Sequence, residues 1–168
     1  MKRICFHGAE STGKSAMAAA LGYPWVPEYG RAYCEAHGID LDMADLIAIA
    51  EGQDAAMRQA ATARPELLIL DTDPLMTAAW ARMLFGNVPD ALMQYEKADL
   101  YLLFEPDVPW IADGTRFFGT AKARAEFAAI ADAVIGEAKV PFIRISGNWE
   151  KRQADVQAVI DALMTEAS

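Results

Sequence analysis

Cysteine is scarce in this chain: Cys5 and Cys34 are the only two in 168 residues, far apart and in no metal-ligand spacing. That argues against a disulfide framework or a zinc site and leaves both thiols as small buried apolar groups. Long apolar runs are missing as well. No stretch is long enough to cross a bilayer, and Met1 leads into a short strand-like run rather than a secretory segment, so the expectation is a cytoplasmic protein without stable membrane association. Positive charge is in deficit, with 15 Lys and Arg against 24 Asp and Glu and a net charge of −9. No general field therefore draws polyanions, which makes nucleic acid a poor partner. A small phosphorylated ligand is different, because a few Lys and Arg gathered in one cleft bind it on an otherwise acidic surface. Repeats and low-complexity linkers are absent too. The 54% of hydrophobic residues suffices for one core, so residues 1–168 are expected to form one compact domain.

What the chain does contain begins at residue 8. Gly8-Ala9-Glu10-Ser11-Thr12-Gly13-Lys14-Ser15 follows the apolar run Ile4-Cys5-Phe6 and opens a helical stretch over 15–21. This is a complete phosphate-binding P-loop in the strand–loop–helix setting it requires. Its glycines let the backbone wrap closely around an anion, so that successive N–H groups and the positive end of the helix dipole face the phosphates of a nucleotide. Lys14 is placed to reach the β- and γ-phosphates and the Ser15 hydroxyl to take a position on Mg²⁺. The nucleotide-binding candidates here are Gly8, Glu10, Ser11, Thr12, Gly13, Lys14, Ser15 and Ala16.

Short apolar blocks alternate with longer stretches of helical spacing, the pattern of an α/β domain on a parallel sheet. Strands are expected over 3–7, 25–27, 67–70, 100–104 and 142–145, the last three as apolar runs covered on both faces. Further helices are expected over 30–37, 43–63 with Gly52 as a weak point, 74–85, 122–138 and 150–165. In such sheets the ligand lies beyond the carboxyl ends of the strands, so the residues that follow each strand should converge.

Those residues carry the remaining chemistry. The run 66–71 is a buried strand ending in Asp71, where P-loop enzymes place a carboxylate near the Mg²⁺ water shell. Asp73 precedes Pro74 and suits either a helix cap or an active-site carboxylate. Glu28 opens Glu-Tyr-Gly-Arg, where it could orient or deprotonate a substrate hydroxyl, with Arg31 as its salt-bridge partner or a phosphate ligand. Tyr29 is a substrate-side candidate that packing explains better. The segment 105–116 leaves a strand with two prolines, Trp110, Asp113 and Arg116. Rigid turns there can fix Trp110 as a flat surface for a ring, while Asp113 accepts hydrogen bonds from a polyol. Arg116, with Lys122 and Arg124 beyond it, can close over phosphates as a lid.

Taken in order, the P-loop, Glu-Tyr-Gly-Arg, Leu-Asp-Thr-Asp with Thr77 and Trp80 following, and Trp-Ile-Ala-Asp-Gly-Thr-Arg resemble the ribosylnicotinamide kinase domain of the NadR proteins. The resemblance implies a three-layer α/β P-loop NTPase fold of the nucleoside-monophosphate-kinase type, with a parallel five-stranded sheet and a lid over about residues 110–125. It implies an ATP-dependent, Mg²⁺-assisted kinase whose small nucleoside-like substrate is nicotinamide riboside, phosphorylated on the 5′-hydroxyl to nicotinamide mononucleotide. Lys14, Glu28, Asp71, Asp73 and Arg116 are then the catalytic candidates, with Ser15 and Asp71 on the metal. Arg116 and Arg124 join the nucleotide site. Glu28, Tyr29, Arg31, Asp73, Trp80, Trp110 and Asp113 form the substrate side. NadR proteins carry an adenylyltransferase domain before the kinase, for which this chain has no room, so a freestanding kinase domain is expected. Two alternatives stay open: a kinase of another vitamin-like alcohol such as thiamine, and a non-catalytic ATP-dependent switch. Homo-oligomerisation and the choice between ATP and GTP are also left open.

Overall fold

Alternation along the first strand sets the layering of the molecule. In β1 (Lys2–Gly8), Ile4 and Phe6 point to one face of the sheet and Cys5 to the other, all fully buried. The computed structural model describes residues 1–112, 114 and 116–165. After β1 come α1 (Lys14–Ala20), β2 (Trp25–Val26), α2 (Tyr29–His37), α3 (Met43–Ala61), β3 (Leu67–Asp71), α4 (Pro74–Phe85), α5 (Asp90–Gln94), β4 (Leu100–Phe104), α6 (Ala121–Ala138), β5 (Phe142–Ile145) and α7 (Trp149–Thr165). The five strands form one parallel sheet in the order β2-β3-β1-β4-β5, with helices on both faces.

On one face Met17 and Ala18 of α1 and Val156 and Ile160 of α7 pack against Ile4, Phe6, Leu102, Phe104 and Ile145. On the other face α3, α4 and α6 cover Cys5, Leu68, Leu70, Tyr101 and Leu103. His7 lies at the end of β1 on that second side, where its ring bonds the Ala131 carbonyl at 3.1 Å. Burial pushes its pKa down to about 3, so the imidazole is neutral. Two strands lie to each side of β1. The chain crosses over it between β3 and β4, which places the crevice for a ligand at the carboxyl end of β1.

Three local features depart from the expected pattern. Helix α3 runs through Gly52 without a break: a Cβ at that position would lie 2.2 Å from the Tyr29 ring, so the missing side chain is a notch that admits α2. A capping box of Asp42 and Asp45 fixes the start of α3. The short helix α5 was not expected, since five residues are too few to show a helical period. Finally, β5 is an edge strand and is not covered on both faces: Phe142 and Ile143 are 37% and 41% exposed. Its Arg144 bonds Glu105 at 2.7 Å and Asp132 at 2.6 Å, polar contacts of the kind that suit an edge.

Candidate active site

The P-loop leaves β1 where the sheet is most crowded. At Gly8, φ is 127° and a Cβ would lie 2.4 Å from the Phe104 carbonyl oxygen, so only glycine allows β1 to run this close to β4. Lys14 is the first residue of α1 and its ammonium donates to the carbonyls of Gly8 at 3.0 Å and Ala9 at 2.7 Å. The cation is thereby held at the mouth of its own loop. Burial lowers its pKa, while the charges of Glu28, Asp71 and Glu10 oppose the shift. Behind the loop, Arg152 of α7 is 2% exposed and donates to the carbonyls of Thr12 at 2.9 Å, Gly147 at 2.7 Å and Glu105 at 2.8 Å, and to the Asp107 carboxylate. One buried guanidinium thus ties the P-loop to the loops after β4 and β5.

Two acids approach the loop from the strand ends. Asp71 ends β3 beside Phe6 of β1, and its Oδ2 accepts the Ser15 hydroxyl. The other oxygen, Oδ1, is buried without a hydrogen-bond partner. Ser15 and Asp71 are therefore a hard-oxygen donor pair with unused capacity, which fits Mg²⁺. Among the described residues no group of three or more His, Cys, Asp or Glu could cage a metal. Mg²⁺ needs no such cage, because it is commonly held by one or two carboxylates together with water and substrate phosphates. Glu28 precedes α2 and lines the same crevice. Burial and the charge of Asp71 push its carboxyl up to about 7, against the pull of Lys14 and Arg31. Burial also raises Asp71, with Lys14 and Ser15 opposing.

The crevice opens to solvent and holds a cavity of about 160 Å³. Its P-loop end is lined by Gly8, Glu10, Ser11, Thr12, Gly13, Lys14, Ser15 and Ala16, and Arg31 and Arg116 line the crevice as well. The far end is apolar. There the Trp80 ring meets Phe117 at 4.6 Å and Phe127 at 5.5 Å between centroids, both edge-on. Gln53 is 2% exposed and accepts the Tyr29 N–H at 2.7 Å, which holds the turn bearing Glu28 against α3.

Asp71 reaches the crevice only through its bond with Ser15, and four more candidates lie off the wall. Asp73 is the N-cap of α4 and accepts from the Leu75 N–H at 2.9 Å and from the Tyr101 hydroxyl, so both of its oxygens are engaged inside the core. Tyr29 fills the Gly52 notch instead of facing the crevice. Trp110 packs its ring over Gly119, where a Cβ would meet it at 3.1 Å, with its Nε1 buried and unpartnered. Arg124 donates to the carbonyls of Val108 at 2.5 Å and Ser11 at 3.2 Å, bracing the lid segment. Asp113 lies outside the described residues. Conversely, sequence reasoning did not single out Gln53, Thr72, Met76, Phe117 or Phe127, all of which line the crevice. Phe117 was the most accessible of these, as half of an aromatic pair directly after Arg116. Thr72 gives no sign in sequence that its φ is 71° between two acids.

Known proteins resemble this chain in sequence and fold. The Escherichia coli protein called trifunctional NAD biosynthesis/regulator protein NadR is 29% identical over 86% of this chain. Its Salmonella typhimurium counterpart is 28% identical over the same share. In each case the chain spans 38% of the relative's length. Among solved structures, a NadR protein in complex with NR superposes with a TM-score of 0.74 at 23% identity, over 95% of this chain and 51% of that one. Deoxyadenosine kinase from M. mycoides gives a TM-score of 0.68 at 13% identity, over 96% and 99%. The fold is accordingly that of the P-loop nucleoside kinases. Residues 3–152 match the family model described as AAA domain, and the chain belongs to that family.

Proposed function

We propose that this chain is an ATP-dependent kinase that phosphorylates the 5′-hydroxyl of nicotinamide riboside, giving nicotinamide mononucleotide. The observation that carries the reading is a single crevice in which Lys14, Ser15, Glu28 and the aromatic wall around Trp80 come together. Support also comes from the NadR relatives and from the NR bound to one of them.

The chemistry follows from the charges. Backbone N–H groups of the P-loop bind the β-phosphate, and Lys14 exchanges its carbonyl partners for phosphate oxygens. Ser15 and Asp71 would hold Mg²⁺, which when bound would screen the phosphates and offset the charge on the leaving group. Arg31 and Arg116 add positive charge in the crevice. The acceptor hydroxyl is oriented by Glu28 and attacks the γ-phosphorus in line. A bond forms from the acceptor oxygen to phosphorus, the bridging bond to the β-phosphate oxygen breaks, and the hydroxyl proton passes to Glu28. The fixed positive charge of the pyridinium ring suits the Trp80 face through cation–π attraction, with the acidic groups of the crevice adding to the field.

Turnover of ATP to ADP with Mg²⁺ against nicotinamide riboside, thiamine and common nucleosides tests the reading. Nicotinamide riboside alone is expected to drive turnover, and Lys14→Ala is expected to lower it by at least about 10³-fold. Turnover with a different acceptor would replace the substrate, while ATP binding without acceptor-dependent turnover would discard the kinase.

A further inference from the structure

Glu10, a nucleotide-binding candidate in the sequence, lines the crevice, but its carboxylate is bonded to a different part of the chain. Its carboxylate accepts the backbone N–H of Phe117 at 3.0 Å and of Phe118 at 3.1 Å, in the segment that connects β4 to α6. The neighbouring Ser11 accepts from the Ile111 N–H at 2.8 Å and from Arg116 at 3.3 Å, and its carbonyl accepts from Arg124 at 3.2 Å. Of the two residues so held, Phe117 lines the crevice and Phe118 packs in the core behind it; their rings lie 4.6 Å and 5.2 Å from Trp80. Arg116, which lines the crevice, directly precedes them. An anion bound by two consecutive N–H groups makes charge-assisted hydrogen bonds, stronger than neutral ones.

We infer that Glu10 is a positioning residue that sets acceptor affinity from within the nucleotide loop, by pegging residues 116–118 so that Phe117 and Phe118 close on Trp80. The inference rests on the kinase reading for its kinetic consequence, but its geometric core does not. A carboxylate in a phosphate-binding loop repels phosphate at close range, so its presence there calls for a partner other than the nucleotide. The two N–H groups are that partner. Because the peg is a side chain and the wall is built on the backbone it holds, losing the peg lets the wall drift without disturbing the P-loop backbone that cradles phosphate.

The test combines amide hydrogen exchange on the full chain with steady-state kinetics for wild type, Glu10→Ala and Glu10→Gln. In Glu10→Ala, exchange at Phe117 and Phe118 is expected to speed up by about tenfold or more, and the KM for nicotinamide riboside to rise by about 10- to 100-fold, as loss of hydrogen bonds to a charged group implies. The KM for ATP should stay within about threefold. Glu10→Gln keeps one amide oxygen to accept an N–H and should fall between the two. Unchanged exchange at these amides in both variants overturns the inference, as does a rise confined to the KM for ATP. If Glu10→Ala does not fold, Glu10→Gln decides alone: exchange and acceptor KM indistinguishable from wild type overturn it. Absence of nicotinamide riboside turnover in the wild type refutes the function proposed above and leaves the exchange result to decide the peg.

Discussion

The two ends of the crevice are built by different means. The nucleotide end comes from one continuous stretch of backbone, Gly8 to Ala16 in sequence, braced from behind by Arg152 and from the sheet by Asp71. The acceptor end is assembled from side chains on separate elements: Gln53 on α3, Met76 and Trp80 on α4, Phe117 in the connecting segment and Phe127 on α6. A phosphate is recognised by N–H groups whose positions follow from backbone geometry, so that end has little freedom to vary. A ring is recognised by apolar faces that many residue types can supply, so the far end can be repacked while the fold persists. Damage to the backbone of the first end should therefore reach every activity of the protein, and damage at the second only the acceptor.

Arg152→Ala is the largest expected break. It leaves the carbonyls of Thr12, Gly147 and Glu105 and the Asp107 carboxylate without their buried donor. The cost is about 3–5 kcal/mol of stability, read from urea or guanidinium unfolding. ATP binding should weaken along with it. A variant that lost stability but bound ATP normally would show that the P-loop holds its shape without its rear brace.

Glu28→Gln comes next and addresses the junction of the two ends. A general base contributes about 10²-fold or more, so kcat should fall by at least that factor. With the Glu28 carboxyl pushed up to about 7, it carries a proton below that pH and cannot accept another, so wild-type kcat/KM should rise as pH climbs through 7. The glutamine variant should lack that limb. Linkage gives the matching sign for stability: a carboxyl whose folded pKa is raised holds its proton more tightly folded than unfolded, so wild-type stability declines as pH rises from the ordinary carboxylate range to about 7. Above that pH, Glu28→Gln should be the more stable protein, a gain in stability at the expense of activity.

Trp80→Ala sharpens the contrast from the acceptor side. The ring faces Phe117, Phe118 and Phe127. Its loss should raise the KM for acceptor by about tenfold, in line with the worth of a cation–π or aromatic pair. The KM for ATP should hold steady. An equal rise in both would mean that the two ends do not act separately.

The same contrast explains what could be read from sequence. The P-loop, Asp71 at the end of an apolar strand and Glu28 after a short one were legible because glycine spacing and strand ends encode position directly. Asp73 left helix cap and active-site carboxylate both open, and it caps α4 in the core, while Trp110, a candidate flat surface for a ring, lies on Gly119. Local sequence shows that a residue is polar or flat, not which side of a turn it faces. Gln53 and Phe127 stayed hidden because each sits within a helix whose pattern accounts for it as core. Only the crossing of α3 and α6 with α4 brings them to the crevice. The edge position of β5 was hidden likewise, since strand order is a property of the whole sheet.

Gly52→Ala is the smallest expected effect and the finest probe of how the acceptor end is supported. In an isolated helix alanine would stabilise α3 by about 1 kcal/mol over glycine. Here its methyl would meet the Tyr29 ring at 2.2–2.7 Å, so the ring has to leave its notch. Tyr29 is 38% exposed and can swing toward solvent, so the net change in unfolding free energy should stay within about 1 kcal/mol as propensity and lost contact offset each other. The consequence should appear at Glu28, the neighbour of Tyr29, as a two- to threefold rise (about) in acceptor KM with ATP KM unchanged. A double-mutant cycle isolates the cause. Tyr29→Ala should cost stability in the wild type but little or nothing on top of Gly52→Ala, because the contact it removes has already gone. If the two changes added independently, the notch would not be what holds α2, and the turn bearing Glu28 would depend on the Gln53 bond to the Tyr29 N–H alone.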